Sequence, residues 1–354
     1  MAAPVIARTP LLTPASRAAL GLTALVIIAV GTVPFVFDLA TTLDWTLIFI
    51  LGILALSMSF LWGYVGIISF GQTAFFGLGG YTFAVVSLNG IDPFFALLTA
   101  ILIPLLFSLI FGYFMIYGRI SDIYLSVMTL VLTVVLDKAI RATAGVTIGN
   151  VGLNGQNGIP GVPWLSIPGQ PSASFGIDGN FYLAGLLLVA TYWGLRSVLA
   201  SDFGRVLVGI RENERRVELL GYDSRRYKLA AFALCGGLAG LSGGLFATWG
   251  NFVSPEMFHL RQAAEIIIWV IVGGKNTLLG PIIGVGLVQT LTKWLGTQSV
   301  GQVNLILGIV LIFSVLVFKE GILPALKSAA LRLLSLLRRE ESKGPEEVVD
   351  GRGV

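Results

Sequence analysis

The chain has 354 residues, 55% of them hydrophobic and only 12% charged, with a formal net charge of +4. A soluble domain carries about 25% charged residues, and a soluble chain this apolar would expose patches that aggregate, so composition excludes an ordinary soluble protein and sets a membrane class. One cysteine, Cys235, and one histidine, His259, rule out an internal disulfide and a His/Cys metal centre.

A helix needs about 20 mostly apolar residues to cross a bilayer. Ten stretches are candidates in chain order: 18–37, 45–62, 72–88, 94–117, 123–140, 181–199, 229–250, a short one at 263–272, 278–295 and 303–318. The first follows Arg8 and Arg17. It is long for a signal core and no small-residue cleavage site follows it, so it reads as an uncleaved span. With the N-terminus inside, nineteen of the 23 Lys and Arg residues fall on the inner side, and only Lys138, Arg141, Arg261 and Lys293 fall outside. That bias is the one expected of a chain with both termini inside. It requires 263–295 to be two segments, broken at 273–280, and it makes basic residues orienting charges rather than nucleic-acid contacts.

The expected fold is therefore an all-α polytopic membrane protein of about ten helices with glycine-rich breaks. Residues 1–17 form an inner tail and 18–320 the membrane domain. Residues 142–180, with nine glycines, four prolines and no Lys or Arg, form a long outer loop that cannot lie in lipid. Residues 200–228 are the main inner loop. In the tail 321–354, Leu326, Ala330, Leu333, Leu334 and Leu337 share a helical face flanked by Lys327, Arg332, Arg338 and Arg339, a pattern for a helix lying on the anionic leaflet.

Four segments could carry function. The inner loop holds seven basic and five acidic residues across 202–228. Its stretch 204–220 has Val206, Ile210, Val217 and Leu220 at roughly helical spacing, with Gly221 as a stop. Its charges are either solvated and orienting, or part of a helix that docks on a cytoplasmic partner. Residues 62–81 hold six glycines among aromatics; they allow close helix packing, or a broken helix in which Ser69, Gly71 and Gln72 line a cavity. In 265–287, Glu265 begins an apolar run and Gly273, Gly274 and Pro281 interrupt it. Glu265 either faces a pathway or sits at the outer interface beside Arg261. Gly236, Gly240 and Gly244, four residues apart, form a packing stripe.

No nucleotide-binding loop is present. In the nearest string, WVIVGGKNT, Trp269 stands where the first glycine belongs and Asn276 follows Lys275. No cofactor motif or hydrolase motif occurs either. The few ionisable groups in the spans lie near their ends, whereas an ion-coupled carrier usually needs an intramembrane carboxylate, so an external energy source is favoured.

The string GRVLVGIRENERRVELLGYDSRRYKLAAFALCGGLAGLSGGLFA, preceded by YVGIISFGQTAFFGLGGY, YLSVMTLVL and NGIPG and followed by VGGKNTLLGPIIGVGL, resembles branched-chain amino acid ABC transporter permeases of the LivM type over roughly residues 45–320. The resemblance implies a bacterial inner-membrane permease subunit with no nucleotide site of its own. Its implied partners are a second permease subunit as a heterodimer, two cytoplasmic ATPase subunits and a periplasmic solute-binding protein. It also implies that 212–221, preceded by Arg211, is a coupling helix. Arg211, Arg215 and Arg216 would meet acidic ATPase residues and Glu212 and Glu214 basic ones, with Asn213 in the same coupling loop and Gly221 at its end. The expected solute is a branched-chain amino acid. Urea or a short amide is the alternative within the family, and a self-sufficient channel or secondary carrier is the alternative outside it.

Overall fold

The computed structural model describes residues 38–118, 120–167 and 170–297, together with Gly308. Among these are nine α-helices: α1 Leu39–Phe60, α2 Gln72–Leu88, α3 Pro93–Tyr117, α4 Asp122–Arg141, α5 Gly176–Ala200, α6 Asp202–Leu219, α7 Ser224–Gly250, α8 Leu260–Gly273 and α9 Leu279–Thr297. A π-helical turn, Leu61–Val65, extends α1. Five of these segments are long and apolar enough to cross a membrane: Leu39–Val65, Pro93–Tyr117, Asp122–Arg141, Gly176–Ala200 and Ser224–Gly250. Three further candidate spans form the 17-, 14- and 19-residue helices α2, α8 and α9. The expected break near 273–280 is present, since α8 stops at Gly273 and α9 starts at Leu279. The candidates at 18–37 and 303–318, and the basic tail, lie outside the described residues.

Local chemistry sets the helix ends. Asp92 accepts a bond from the Phe94 amide at 2.9 Å, and Pro93 fills the first helical position of α3, where a missing N–H costs nothing. α4 begins with Asp122 and ends with Lys138 and Arg141, charges that suit the helix dipole at both ends. His259, placed by the sequence in a loop, caps α8 by accepting from the Arg261 amide at 3.3 Å.

The chain alternates direction at each connection, which sorts the loops into two groups. Residues 61–71, 118–121, 201–223 and 274–278 meet at one end, where Arg211 contacts Gly63 and Lys228 contacts Asp122. At the other end Asn89 bonds to Ile148, Asn251 to Val162, and Arg141 lies 3.7 Å from Glu256. The first end carries the eight Lys and Arg residues from Arg196 to Lys228, and Lys275; the second carries Lys138, Arg141, Arg261 and Lys293. The 142–175 loop is held by short antiparallel pairs. β1 (Thr147–Ile148) pairs with β2 (Val151–Gly152), and β4 (Ser166–Ile167) with β5 (Gln170–Ser174). β3 (Ile159–Pro160) pairs with β6 (Phe252–Val253), pinning the loop to the α7–α8 connection. A cavity of about 380 Å³ at this second end, lined by Thr41, Asp44, Gln289 and Lys293, lies between α1 and α9, which the Lys293–Asp44 ion pair bridges.

α1 and α7 form the centre. The apolar stretch of α1 is 89% buried and that of α4 only 22%. The Ser242 hydroxyl of α7 donates to the Ile50 carbonyl of α1 at 2.7 Å. Lipid tails are as apolar as leucine, so helices in a bilayer associate mainly through close packing, and α7 supplies it with glycine on two faces. A side chain at Gly236, Gly240 or Gly244 would strike Ser108, Ala100 or Pro104 of α3, and one at Gly243 would lie 1.9 Å from the Phe76 carbonyl of α2. The packing stripe read from the sequence is thus real, and Gly243 gives it a second side. Cys235 is fully buried among these contacts.

Gly243→Ala should lower the thermal stability of the detergent-solubilised protein by the equivalent of about 1–3 kcal/mol, the usual cost of overpacking. Gly194→Ala, where no atom lies within 4 Å, should be neutral or mildly stabilising. A melting comparison of the two variants checks it.

Candidate functional site

Three of the segments marked in the sequence converge at the basic end. The first is the break between α1 and α2. The π turn ends with the Ile67 amide bonded to the Leu61 carbonyl at 3.1 Å, and Gly66 adopts φ +90°, a left-handed geometry that a side chain disfavours. Residues 67–70 then run outside any helix before Gly71 opens α2, with Ile67, Ser69 and Gly71 buried. Buried backbone groups need partners, and α4 provides them. The Ser126 hydroxyl donates to the Ile68 carbonyl at 2.7 Å, Thr129 Oγ1 accepts from the Phe70 amide at 3.1 Å, and the Thr133 hydroxyl donates to the Phe70 carbonyl at 3.1 Å. The spacing 126, 129, 133 puts all three on one helical face. The sequence reading gave these hydroxyls no role. Three of them on one stripe of an otherwise aliphatic helix were the available signal.

Ser69, Gly71 and Gln72 come together here. Gln72 Oε1 accepts from the Ser57 hydroxyl at 3.2 Å. Ser69 Oγ and Gln72 Nε2 are buried without a hydrogen-bond partner among the described residues. Gly71 is in close contact with Thr129, whose Cβ lies 3.1 Å from where a Gly71 Cβ would stand.

The second segment is the α8–α9 turn. Gly273 packs on the Gly280 carbonyl with no room for a side chain, and Gly274 adopts φ +108°. The turn projects onto the π segment. A Cβ on Gly63 would lie 1.9 Å from the Lys275 carbonyl, the Tyr64 hydroxyl donates to the Asn276 carbonyl at 3.2 Å, and the Lys275 ammonium sits 5.3 Å from the centre of the Trp62 ring, within cation–π range. Gly273 and Gly274 therefore belong to the junction. Glu265 does not: it lies in the first half of α8, ion-paired with Arg261 at 3.0 Å, toward the other end.

The third segment is α6. The sequence pattern predicts one helix over 204–220; instead the helix bends at Asn213, whose φ −163° and ψ 95° are not helical. Asparagine favours such positions because its side chain can cap the next turn, and here Asn213 Oδ1 accepts from the Arg216 amide at 3.0 Å. The second half closes on Gly221 at φ +90°, with the Gly221 amide on the Glu218 carbonyl and the Tyr222 amide on the Val217 carbonyl, the paired bonds of a left-handed glycine cap.

The two faces of α6 differ sharply. Leu207, Ile210 and Val217 are buried. Arg211 donates to the Gly63 carbonyl and pairs with Glu212, and its Cγ lies 3.2 Å from where a Gly66 side chain would begin. Glu214 accepts from Lys228 at 2.7 Å and Glu218 from Ser224 at 2.6 Å. Outward face Arg215, Arg216, Leu219, Leu220 and Tyr222, with Leu219 82% and Leu220 76% exposed. Leu220, at helical spacing with Val206, Ile210 and Val217 in the sequence, does not share the burial of Ile210 and Val217. Arg211 and Glu214, expected to face a partner, are engaged with their own chain.

A glycine-interrupted bundle with five membrane-length helices, capped at its basic end by a bent charged helix, has the build of a multi-pass membrane permease. The chain belongs to the family described as "Branched-chain amino acid transport system / permease component", which matches residues 44–316. The high-affinity branched-chain amino acid transport system permease protein LivM of Escherichia coli strain K12 is 27% identical over 325 residues, covering 86% of this chain and 74% of that protein. LivM of Salmonella typhimurium matches to the same extent. The probable branched-chain amino acid transport permease protein LivH of Methanocaldococcus jannaschii is 27% identical over 176 residues, 46% of this chain and 53% of its own. No solved structure matches the chain. The protein is a permease subunit of an ABC importer, a transport component and not an enzyme.

Gly63→Ala should force the π segment away from the Lys275 carbonyl and lower stability by about 1–3 kcal/mol. The Tyr64–Asn276 bond should then be lost, so adding Tyr64→Phe to Gly63→Ala should cost less than Tyr64→Phe alone, a non-additivity that a double-mutant melting cycle reads.

Proposed function

We propose that this subunit carries branched-chain amino acids, delivered by a periplasmic binding protein, across a bacterial inner membrane. In this reading it pairs with a second, different permease chain, and two ATPase subunits dock on the end that carries α6. The chain spans the bilayer ten times with both termini in the cytoplasm. Residues 18–320 form the membrane domain, 142–180 the periplasmic loop and 200–228 the coupling loop. The tail 321–354 lies on the inner leaflet.

One observation carries this reading. The second half of α6 is fastened to the bundle on one side through Val217, Glu214 and Glu218, yet presents Leu219 and Leu220 almost fully exposed beside Arg215 and Arg216. Such an apolar pair with a cationic rim suits a protein cleft bearing carboxylates. Arg211, Glu212 and Asn213 act as its mount and Gly221 as its stop. ATP-driven closure of the ATPase pair moves this helix, and the break at Ser69, Gly71 and Gln72 together with the turn at Gly273 and Gly274 changes the access of the pathway. An ATPase can bias only states for which it has differential affinity, which gives the mount its importance. The printed descriptions of the LivM and LivH relatives support the solute class; urea or a short amide is the nearest competitor.

Orientation and docking are tested together. Cys235 is fully buried, so Arg215→Cys adds a reactive thiol over a low background. An impermeant thiol reagent should label it only in inverted vesicles, and labelling in intact spheroplasts would sink the orientation. Leu219→Glu/Leu220→Glu should cut co-purification of the ATPase subunits by about tenfold or more. A thermal-shift screen of the cognate binding protein should show stabilisation by leucine, isoleucine or valine, and stabilisation by urea alone reassigns the solute.

A further inference from the structure

Lys228 is the fifth residue of α7 and is 7% exposed. Its ammonium reaches two carboxylates on different helices: Glu214 of α6 at 2.7 Å, and Asp122, the first residue of α4, at 3.1 Å. A buried ammonium is costly unless paired and hydrogen-bonded, so this cation constrains both carboxylates to stay where they are.

The two ends of that bridge differ in what they hold. Glu214 follows the bend at Asn213, so it moves with the exposed Leu219–Leu220 half of α6, whereas Arg211 precedes the bend and sits on the Gly63 side. Asp122 opens α4, and its carbonyl accepts from the Ser126 hydroxyl at 2.9 Å. From there the face of Ser126, Thr129 and Thr133 holds the backbone of Ile68 and Phe70. The rest of α4 is held on one side, by Leu125, Leu132, Leu136 and Ile140 against the core and by the Arg141–Glu256 pair at its far end, while Ile123, Tyr124, Val127, Val131 and Val135 are exposed. A helix held along one stripe and exposed on the other can pass a displacement of its first residue to the contacts of that stripe, because its own hydrogen bonds keep its residues in register.

We infer that Lys228 is a positioning residue that ties the outward half of α6 to α4, and that α4 passes its displacement through the Ser126–Thr129–Thr133 hydroxyls to the non-helical 67–70 backbone. A shift of α6 toward or away from the bundle changes the Lys228 bridge, tilts α4, and re-forms or releases the hydrogen bonds that fix the break. The inference deepens the docking role proposed for α6 and rests on it. Coupling two places physically requires an element with two arrangements, and in this inference the hydroxyl-held break at the far end of the route is that element.

The test uses the full importer, permease pair, ATPase subunits and binding protein, reconstituted in vesicles. Solute moved per ATP hydrolysed is the readout, because a purely structural role lowers the amount of complex rather than this ratio. Lys228→Met and Thr129→Val should each lower the ratio about tenfold, in the range typical of coupling between sites, while Lys228→Arg and Thr129→Ser should restore it to within about twofold of the parent. If the Lys228→Met complex fails to assemble, Thr129→Val decides, since Thr129 is remote from the ATPase face. An unchanged ratio in Thr129→Val, with ATPase still bound, overturns the inference and leaves docking intact. ATPase retained by Leu219→Glu/Leu220→Glu removes the docking reading itself.

Discussion

A membrane protein can leave helical geometry inside its bundle only if another element takes up the freed backbone groups. Here residues 67–70 do so, and three hydroxyls of α4 satisfy Ile68 and Phe70. Much of the architecture at the basic end follows from that one arrangement. The break must lie against the hydroxyl stripe, so α4 must pass close to Gly71, and Gly71 must lack a side chain to admit Thr129. The π turn ahead of the break widens the end of α1, and the glycines at 63 and 66 let the α8–α9 turn and Arg211 approach its backbone.

Around this junction the bundle is held by contact distance rather than by apolar burial. α7 meets α2 at Gly243 and α3 at Gly236, Gly240 and Gly244, and α8 meets α9 at Gly273, Gly280 and Gly284. Backbone-to-backbone approach gains dispersion and leaves no flexible side chain to absorb a displacement. α7 is accordingly locked to α2 and α3, and α8 to α9, while α4 is largely exposed and holds the break through polar contacts. Contacts are thus distributed by residue type: glycine where helices lie against one another, serine and threonine where α4 holds the break.

The hydropathy runs gave eight described helices with ends close to those observed, because burial in apolar surroundings is what hydropathy measures. The glycine stripe of α7 and the interruption at Gly273–Gly274 were equally legible, since small residues and helix breakers act locally. Long-range polar partners were not. Lys228 counted only as one inner charge, and nothing in its neighbours in sequence points to Asp122, more than a hundred positions earlier. Asn213 was read within a continuous helix because its propensity penalty is small, and the cap it forms is visible only once the chain bends. The helical spacing that groups Leu220 with Ile210 and Val217 does not carry across the bend, because the helical phase restarts there.

That bend also settles how charge is divided along α6. Had the helix continued straight, Arg211, Arg215 and Glu218 would have shared one face at spacings of four and three, and the loop would have presented a single mixed surface. With the phase reset at Asn213, Arg211 and Glu214 turn toward the chain itself while Arg215 and Arg216 remain exposed with Leu219 and Leu220. The inward charges are neutralised by specific partners and the outward ones are left with a net positive sign. A partner that approaches this end therefore meets an apolar tip with a cationic collar, while the inward ion pairs stay out of its reach and tie the tip to the bundle.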